Sequence, residues 1–312
     1  MRLVFCGTPQ FAVPTLAHLL AQTDFEIAAV ITQPDRPRGR GNELSFSPVK
    51  QAALGANIPV HQPEKIRTPE AQQLLEALAP DAIVIIAYGQ IIPARLLPIP
   101  KLGWINLHAS LLPRYRGAAP INWAIVNGES RTGVTTMRID AGMDTGDMLL
   151  QSETPIGPRE TTPDVAHRLS LLGGELMGKT LRGLAAGSIT PQPQDHSAAT
   201  LAPLLKKELG RIQWSLSAEQ IYNRMRGFAP WPGAYTAFRS QTCHLWGQPV
   251  SNQKTEALPE TLLHENGDWQ IACGDATVLR LEHVQLEGRR RISSAEFANG
   301  ARLKPGNPFS TA

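Results

Sequence analysis

The sequence predicts a parallel-sheet α/β domain followed by a smaller β-barrel domain. Its length of 312 residues fits about two domains. In the first 190 residues, short apolar runs alternate with helical patterns, which is typical of βαβ units in a parallel sheet. After residue 210 the pattern changes to short alternating runs separated by Gly and Pro turns, which indicates a small barrel.

Apolar runs predict the strands of the first domain, at residues 3–6, 27–31, 82–87, 105–108 and 134–139. The run AIVIIA at 82–87 is continuously apolar, as expected of a strand that is buried on both faces. Helical patterns lie between the strands. The Ser-Pro pair at 47–48 and the Thr-Pro pair at 68–69 each combine an N-cap with proline at the first helical position. A long helix begins at residue 162 and ends at Gly187.

The segment 190–206 interrupts this pattern. It is rich in Pro, Gln, Ser and Thr and has no periodicity, which predicts an exposed linker. Beyond it, Ser217 and Gln220 form a capping-box signature for a short helix. Alternating runs then predict strands at 234–238, 242–246, 269–273 and 278–284. We therefore divide the chain into a first domain, a linker and a β-barrel domain, at residues 1–189, 190–206 and 207–312.

Composition narrows the class of protein. Apolar residues make up 42% of the chain, which is enough to form a core, and charged residues make up 18%. There is no run of 18 apolar residues and no secretory pattern at the start, so we expect no membrane association. The three cysteines are widely spaced, which disfavours disulfides and structural zinc and fits the reducing cytoplasm. The net charge of +3 falls in residues 201–312, which suggests an anionic partner there or an ordinary solvated surface.

Polar side chains stand where predicted strands end, which is where open parallel sheets bind ligands. Asn106 and His108 are two apart on one strand, so they project from the same face and could stabilise an oxyanion. Asp144 follows the 134–139 strand between two glycines, which would let a loop bring its carboxylate to a neighbouring strand end. The alternatives are a satisfied polar pair and a simple turn in a surface loop.

Motifs that are missing limit the chemistry. The sequence has no complete dinucleotide fingerprint, no P-loop, no H-E-x-x-H helix and no G-x-S-x-G elbow. Asn, His and Asp therefore stand without a nucleophilic Ser or Cys beside them. This set favours direct acyl transfer between two substrates over a covalent acyl-enzyme.

Further segments suggest binding surfaces. The loop at 33–50 carries Arg36, Arg38 and Arg40 and could contact an anionic substrate, or could be merely solvated. The segment 88–93 after the 82–87 strand offers backbone groups and apolar side chains for a planar ligand, or is a plain strand-to-helix turn. Three consecutive arginines at 289–291 follow Gly288, where the sequence predicts a turn. They could contact phosphates, or could serve only solubility.

The chain resembles the folate-dependent formyltransferase family, and within it the tRNA-acting branch. The matching segments run through nearly the whole chain; HASLLPRYRGAAP and DTGDM are specific to formyltransferases, whereas QPDRPRGRG, WSLSA and PWPGA point to the tRNA-acting branch. The resemblance implies a doubly wound, Rossmann-like first domain that binds 10-formyltetrahydrofolate as co-substrate. It also implies a second domain similar to the oligonucleotide-binding (OB) fold, and formyl transfer to the α-amine of methionyl-initiator-tRNA.

The resemblance also assigns roles to residues. Asn106 and His108 stabilise the oxyanion, while Asp144 orients His108 or a water and helps to remove the amine proton. Folate contacts carry over to Ser110, Leu111, Leu112 and Pro113, and to Ile86, Ala87, Tyr88, Gly89 and Gln90. Contacts with tRNA are expected from Arg36, Arg38, Arg40, Lys206, Arg289, Arg290 and Arg291. The chain departs from the family at Asn42-Glu43, where lysines are common, which weakens the expected charge of the 33–50 loop.

Other functions remain open from sequence alone. They are formyl transfer to glycinamide ribonucleotide or an amino sugar, hydrolysis of formyltetrahydrofolate, and a non-catalytic RNA-binding protein. A purine-pathway enzyme would not need residues 207–312, and the Asn106, His108 and Asp144 set argues against a non-catalytic protein. We expect a cytoplasmic monomer without a metal.

Overall fold

A computed structural model describes residues 1–38 and 43–311 of the chain. These residues form two compact units. The first contains residues Met1–Pro120, Arg131–Pro155 and Asp164–Pro203. The second contains residues Ile121–Ser130, Ile156–Pro163 and Leu204–Ala312, of which the structure describes all but the last residue.

The described residues before residue 204 include nine strands: β1 Arg2–Gly7, β2 Glu26–Ile31, β3 Arg36–Arg38, β4 Glu43–Ser45, β5 Val60–His61, β6 Ala82–Ile86, β7 Trp104–His108, β8 Arg131–Arg138 and β9 Met148–Pro155. Seven of them form one sheet in the order β5-β2-β1-β6-β7-β8-β9, and β3 pairs with β4 separately. The chain crosses from β1 to both sides of the sheet, which confirms the predicted doubly wound, Rossmann-like fold.

Neighbouring strands are parallel from β5 through β7. In contrast, β8 is antiparallel to β7, and β9 is antiparallel to β8. Neither the antiparallel direction of these strands nor β9 itself is predicted by the sequence pattern. Along β9, buried positions are separated by exposed or half-buried ones, as expected at the edge of a sheet. The apolar run by which the other strands were predicted is therefore missing there.

Where the structure describes this part of the chain, it contains five α-helices: α1 Val13–Leu20, α2 Pro48–Gly55, α3 Pro69–Leu78, α4 Pro120–Val126 and α5 Thr162–Ala185. The predicted N-caps are present, because the Ser47 hydroxyl accepts from the Lys50 amide and the Thr68 hydroxyl from the Ala71 amide. These caps satisfy backbone donors that the first turn of a helix leaves unpaired.

Helices cover both faces of the sheet. Trp104 of β7 belongs to a buried cluster with Leu75 of α3. Leu107 points to the opposite face, where Gly173 of α5 comes so close that a Cβ there would collide with the leucine side chain. Asn106 and His108 therefore share the α3 side of the sheet, beyond the end of its apolar cluster.

Most residues of the segment 190–203 are exposed, as predicted, but the segment groups with the first unit rather than standing apart from it as a linker. Gln192 exchanges two backbone hydrogen bonds of 2.8 Å with Met148 of β9. Gln194 and Ala202 are buried. The polar composition gave no sign of these contacts, in which backbone and side-chain groups of the segment bond to neighbouring loops.

Two short segments assigned by sequence to the first domain lie in the second unit. In one of them, the Asn122 amide donates to the Gly227 carbonyl at 2.7 Å. Trp123 packs edge-on against Phe228, with ring centroids 5.8 Å apart. The aromatic contact explains why residues 121–130 group with the later part of the chain.

The second unit contains α6 Ala218–Gly227, β10 Tyr235–Phe238, β11 Gln241–Pro249, β12 Leu262–Glu265, β13 Asp268–Ala272, β14 Val278–Leu286, β15 Ile292–Ser293 and α7 Ser294–Ala301. The capping box of Ser217 and Gln220 begins α6 as predicted. The strands are antiparallel in the order β10-β11-β14-β13-β12, with β15 on β14. This confirms a small β domain, with β12 and β15 as strands that the sequence analysis missed.

The last residues of the chain join the two edges of this sheet. Beside β12, the Leu262 amide donates to the Asn307 carbonyl at 2.9 Å. Just after β10, the Arg239 amide donates to the Ser310 carbonyl at 2.9 Å. Between them, Phe309 is fully buried against Phe238 and Phe297. The tail thus closes the sheet into a barrel-like shape without forming a regular strand.

Candidate active site

Asn106 and His108 stand at the end of β7, as the sequence predicted. In the antiparallel register with β8, Asn106 lies opposite Met137 and His108 lies opposite Thr135. The two side chains are on one face because strand residues alternate. His108 is buried, with 6% exposure, whereas Asn106 is half-buried and lines a cavity.

The hydrogen bonds of His108 determine its tautomer. Its Nε2 lies 2.8 Å from the carbonyl oxygen of Tyr115. A carbonyl oxygen can only accept, so Nε2 carries a proton and donates. In the neutral ring Nδ1 is then an acceptor, and it lies 3.7 Å from Oδ2 of Asp144. The structure thus brings the two predicted residues together, with Nδ1 of the ring facing the carboxylate.

Asp144 is held in a tight loop between β8 and β9. It has a φ of 54°, which is unusual for a residue with a side chain. Its Oδ2 accepts from the Gly117 amide at 2.8 Å. A Cβ at Gly146 would collide with the Arg138 carbonyl, so the loop can close this tightly only with glycine there. Asp140 completes the turn by accepting from the Thr145 hydroxyl at 2.8 Å.

A cavity of about 410 Å³ opens beside these residues. Its size falls within the roughly 300–1,000 Å³ of small-molecule sites. Asn106, Asp140 and Asp144 supply polar groups, and the remaining lining is mostly apolar, from Ile85, Gln90, Ile91, Ile92, Met137, Ile139, Ala141, Gly142 and Met143. The sequence predicted apolar side chains only in the turn at 88–93, which supplies Ile91 and Ile92. The apolar lining from Met137, Ile139 and Met143 was not predicted as part of a site.

Of the residues expected to contact folate, Gln90 is the one that lines this cavity. Its side chain accepts from the Ile66 amide at 2.7 Å, which fixes the turn after β6. Ile86 and Tyr88 are buried beneath it, while Ala87 and Gly89 have positive φ values that shape the turn. The role of all five residues, Gln90 included, in binding folate stays a prediction.

The other expected folate contacts form the turn after β7. The Ser110 hydroxyl donates to the Arg114 carbonyl at 2.7 Å. Thr135 of β8 stabilises the turn, because its hydroxyl donates to the Ser110 carbonyl and accepts from the Leu112 amide. Leu111 and Pro113 complete this turn without lining the cavity described above. Their contact with folate likewise stays a prediction.

The three cysteines are free and buried. Burial raises the pKa of the Cys6 thiol and raises those of Cys243 and Cys273 to about 12. All three therefore stay protonated near neutral pH and are poor nucleophiles. This agrees with the expectation of direct transfer. Among the described residues we find no group of three or more His, Cys, Asp or Glu side chains that could hold a metal.

The base of the 33–50 loop is anchored by a polar network. Lys50 forms an ion pair with Asp35 and donates to Gln62 at 2.8 Å. The hydrogen bond from Lys50, supported by Gln62, holds the pKa of Asp35 below its usual range. Arg36 is exposed in β3.

The other two arginines of this loop were also expected to contact tRNA. Arg38 is the last residue of β3, whereas Arg40 lies outside the described residues, as does Asn42. Lys206 is exposed just before a short turn of 3₁₀ helix at Lys207–Gly210. None of these positions is tested as an RNA contact.

The basic run lies in the turn between β14 and β15, and all three arginines are exposed. Arg290 forms an ion pair with Glu296 at 2.8 Å. The Arg291 guanidinium lies over the Trp246 ring, 4.2 Å from its centroid. A turn presents the three residues together to solvent, as the sequence predicted.

Comparison with known proteins identifies the class. The family model "Formyl transferase" matches residues 1–181, and "Formyl transferase, C-terminal domain" matches residues 204–302. The chain therefore belongs to the formyltransferase family.

Sequence identity to curated relatives indicates the branch of the family. Methionyl-tRNA formyltransferase of Solibacter usitatus is 55% identical over 97% of this chain and 96% of its own length. The protein of that name from Geobacter sulfurreducens is 49% identical over 98% of this chain and 96% of its own length. The expected branch of the family is thus confirmed.

Solved structures support the fold. WlaRD, a sugar 3N-formyl transferase solved in the presence of dTDP and 5-N-formyl-THF, has a TM-score of 0.68 at 19% identity and covers 93% of this chain and 99% of its own. Glycinamide ribonucleotide transformylase 1 of Symbiobacterium toebii has a TM-score of 0.53 at 19% identity, and covers 62% of this chain and 94% of its own. No described helix is long and apolar enough to cross a bilayer.

Proposed function

We infer that this chain transfers the formyl group of 10-formyltetrahydrofolate to the α-amine of methionyl-initiator-tRNA, for translation initiation. The observation that carries this function is the 46–55% identity to methionyl-tRNA formyltransferases along nearly the whole chain. Both units are included in that similarity. Relatives that act on other amines and resemble only the fold do not reach this identity.

The cavity suits the folate co-substrate. Its apolar lining offers a surface for a flat ring system, and Asn106 and Asp144 place polar groups beside it. The co-substrate supplies a formyl carbon that is already activated for attack by an amine. The protein then has to bind the co-substrate, orient it toward the amine, and provide an acceptor for the proton that the amine loses.

We assign the proton to Asp144 and His108. As the amine nitrogen adds to the formyl carbon it becomes more acidic, and its proton needs an acceptor. The tetrahedral intermediate then collapses: the bond between the formyl carbon and the folate nitrogen breaks, that nitrogen takes up a proton, and tetrahydrofolate leaves. The Asp144 carboxylate and Nδ1 of His108 are both acceptors and lie 3.7 Å apart. The Asn106 amide can donate to the formyl oxygen, on which negative charge develops. A His108 that has gained a proton on Nδ1 can donate there as well.

Comparison of acceptors tests the function. The purified chain is incubated with 10-formyltetrahydrofolate and charged initiator tRNA, uncharged tRNA, free methionine or glycinamide ribonucleotide. We expect formyl transfer to charged initiator tRNA alone. Efficient formylation of glycinamide ribonucleotide, or release of formate without an acceptor, would support the alternative transferase or hydrolase. Binding of tRNA without any turnover would indicate a non-catalytic RNA-binding protein.

We also propose that the chain acts as a monomer in the cytoplasm. The three buried, free cysteines suit a reducing compartment. Size-exclusion chromatography with light scattering tests the monomer, and a mass near 33.9 kDa is expected.

The basic turn provides a prediction about tRNA affinity. If Arg289, Arg290 and Arg291 contact phosphates, each contact releases counterions and steepens the slope of log K against log salt by about 0.7 to 0.9. Replacing all three with Gln is expected to flatten that slope by about 1 to 2, for one or two direct contacts. Cognate and non-cognate tRNAs should weaken alike, because phosphate contacts carry no sequence information. The KM for charged tRNA should rise, whereas kcat should change little.

Filter binding between low and moderate salt measures the slope. The control is the double variant Lys101→Gln and Lys179→Gln, which removes exposed positive charge from the first unit. If the arginine substitutions leave the slope unchanged, or the control changes it equally, these arginines do not contact tRNA phosphates and serve only solubility.

A further inference from the structure

Gln194 is a buried amide that the proposed mechanism does not use. It comes from the segment predicted to be an exposed linker, yet it is 6% exposed. Its Nε2 donates to the carbonyls of Asp144 at 2.9 Å and Gly146 at 2.7 Å. Its Oε1 accepts from Nε and Nη2 of Arg116, at 3.0 and 2.7 Å. All four hydrogen-bonding positions of the amide are therefore used.

These partners fix the direction in which the amide points. Carbonyl oxygens only accept, so they must face the NH2 group, and the guanidinium only donates, so it must face the oxygen. Arg116 is itself buried, with 7% exposure, and its guanidinium also lies 3.2 Å from Nδ1 of His196. A buried guanidinium needs such acceptors, so Arg116 and Gln194 hold each other in place.

Gln194 acts on the backbone of the loop that carries Asp144. At a φ of 54°, Asp144 occupies a conformation that its surroundings must hold. Gln194 binds the backbone oxygen of Asp144, while the amide of Gly117, next to Arg116, binds its carboxylate. Backbone and side chain of this residue are thus fixed by one connected set of contacts.

The same segment supports the other member of the pair. The Thr200 hydroxyl accepts from the Tyr115 amide at 2.9 Å, and the Thr200 carbonyl accepts from the Arg116 amide at 2.8 Å. The Tyr115 carbonyl in turn accepts from Nε2 of His108. Residues 194–200 therefore support both Asp144 and His108.

We propose that Gln194 is a positioning residue for catalysis, and that its two N–H donors hold the Asp144 loop in the reactive geometry. This inference rests on the proposed function, in which Asp144 accepts a proton. Small displacements of a reacting group are costly, since a shift of about 1 Å can lower a rate about 100-fold. The contribution of Gln194 should therefore appear in kcat rather than in KM.

Gln194→Glu separates the two halves of the amide. An ionised Glu still accepts from Arg116 but cannot donate to the carbonyls of Asp144 and Gly146. We expect kcat for formyl transfer to fall about 10- to 100-fold with little change in KM. Gln194→Ala should lose as much or more. The matched control is Gln192→Glu, at an exposed glutamine two residues earlier whose side chain donates to the Thr190 carbonyl at 3.3 Å.

A second measurement does not depend on activity. Hydrogen exchange followed by mass spectrometry should show faster exchange in peptides covering residues 140–147 of Gln194→Glu than of Gln192→Glu. Wild-type kcat and unchanged exchange in Gln194→Glu would overturn the proposal, as would a loss confined to Gln194→Ala, which would mean that holding Arg116 is the whole role. Absence of formyl transfer in the wild-type chain would instead contradict the proposed function, and exchange would still decide the role of Gln194.

Discussion

Asp144→Asn is expected to lower kcat for formyl transfer by about 100-fold or more, the usual scale for loss of a general base. The new amide keeps an oxygen that can accept from the Gly117 amide, as Oδ2 of Asp144 does at 2.8 Å. The loop should therefore keep its shape. What disappears is the negative charge and the ability to take a proton at neutral pH. Folate binding and thermal stability should change far less than turnover.

Single-turnover kinetics with charged initiator tRNA, alongside folate binding by calorimetry, measure the two effects. Asp147→Asn is the matched control, because it makes the same charge change three residues further along the same loop. Asn106→Ala and His108→Ala should cause losses of similar size. Residues that act as a unit are not additive, so the triple variant should lose little beyond the worst single one. Near-normal turnover by Asp144→Asn would remove Asp144 from the mechanism.

Much of this site could be predicted from sequence because it depends on strand periodicity. Asn106 and His108 are two residues apart, so a strand must place them on one face. Glycines on both sides of Asp144 indicated a loop that can turn back on itself. The meeting of Asp144 with His108 then follows from the adjacency of β7 and β8. Short-range geometry thus carries most of the predicted site.

The supporting contacts could not be predicted, because they join residues far apart in the chain. Gln194 meets Asp144 across 50 positions, and Tyr115 meets Thr200 across 85. Nothing in a Pro-, Gln- and Ser-rich segment indicates that its polar groups will be buried. Composition alone favoured a solvated linker. The tautomer of His108 was likewise hidden, since it depends on the position of one carbonyl in the following turn.

The same limit applies to the second unit. Alternating runs predicted its central strands, but β12 does not alternate, since its last two residues are both exposed, and β15 has only two residues. The C-terminal tail has no strand pattern at all, although it joins both edges of the sheet. Phe309 was therefore not recognised as a core residue.

Phe309→Ala is expected to destabilise the second unit by about 3–5 kcal/mol, the usual cost of removing a buried phenylalanine. The ring is fully buried, and its centroid lies 5.3 Å from that of Phe238 and 6.2 Å from that of Phe297. A loss of this size is a large part of the roughly 5–15 kcal/mol that stabilises a typical domain. Affinity for tRNA should fall with the folded fraction of this unit, whereas folate binding should persist if the cavity belongs to the first unit alone.

Urea unfolding followed by tryptophan fluorescence reports mainly on the second unit, because five of the six tryptophans lie outside the first one. The matched control is Phe46→Ala, the same change at a phenylalanine that is 44% exposed, and it should shift the urea midpoint little. A midpoint for Phe309→Ala equal to that of the control would show that the tail does not close the barrel. Equal loss of folate and tRNA binding would instead mean that the two units do not fold independently, because the cavity would then depend on a core that contributes none of its lining residues.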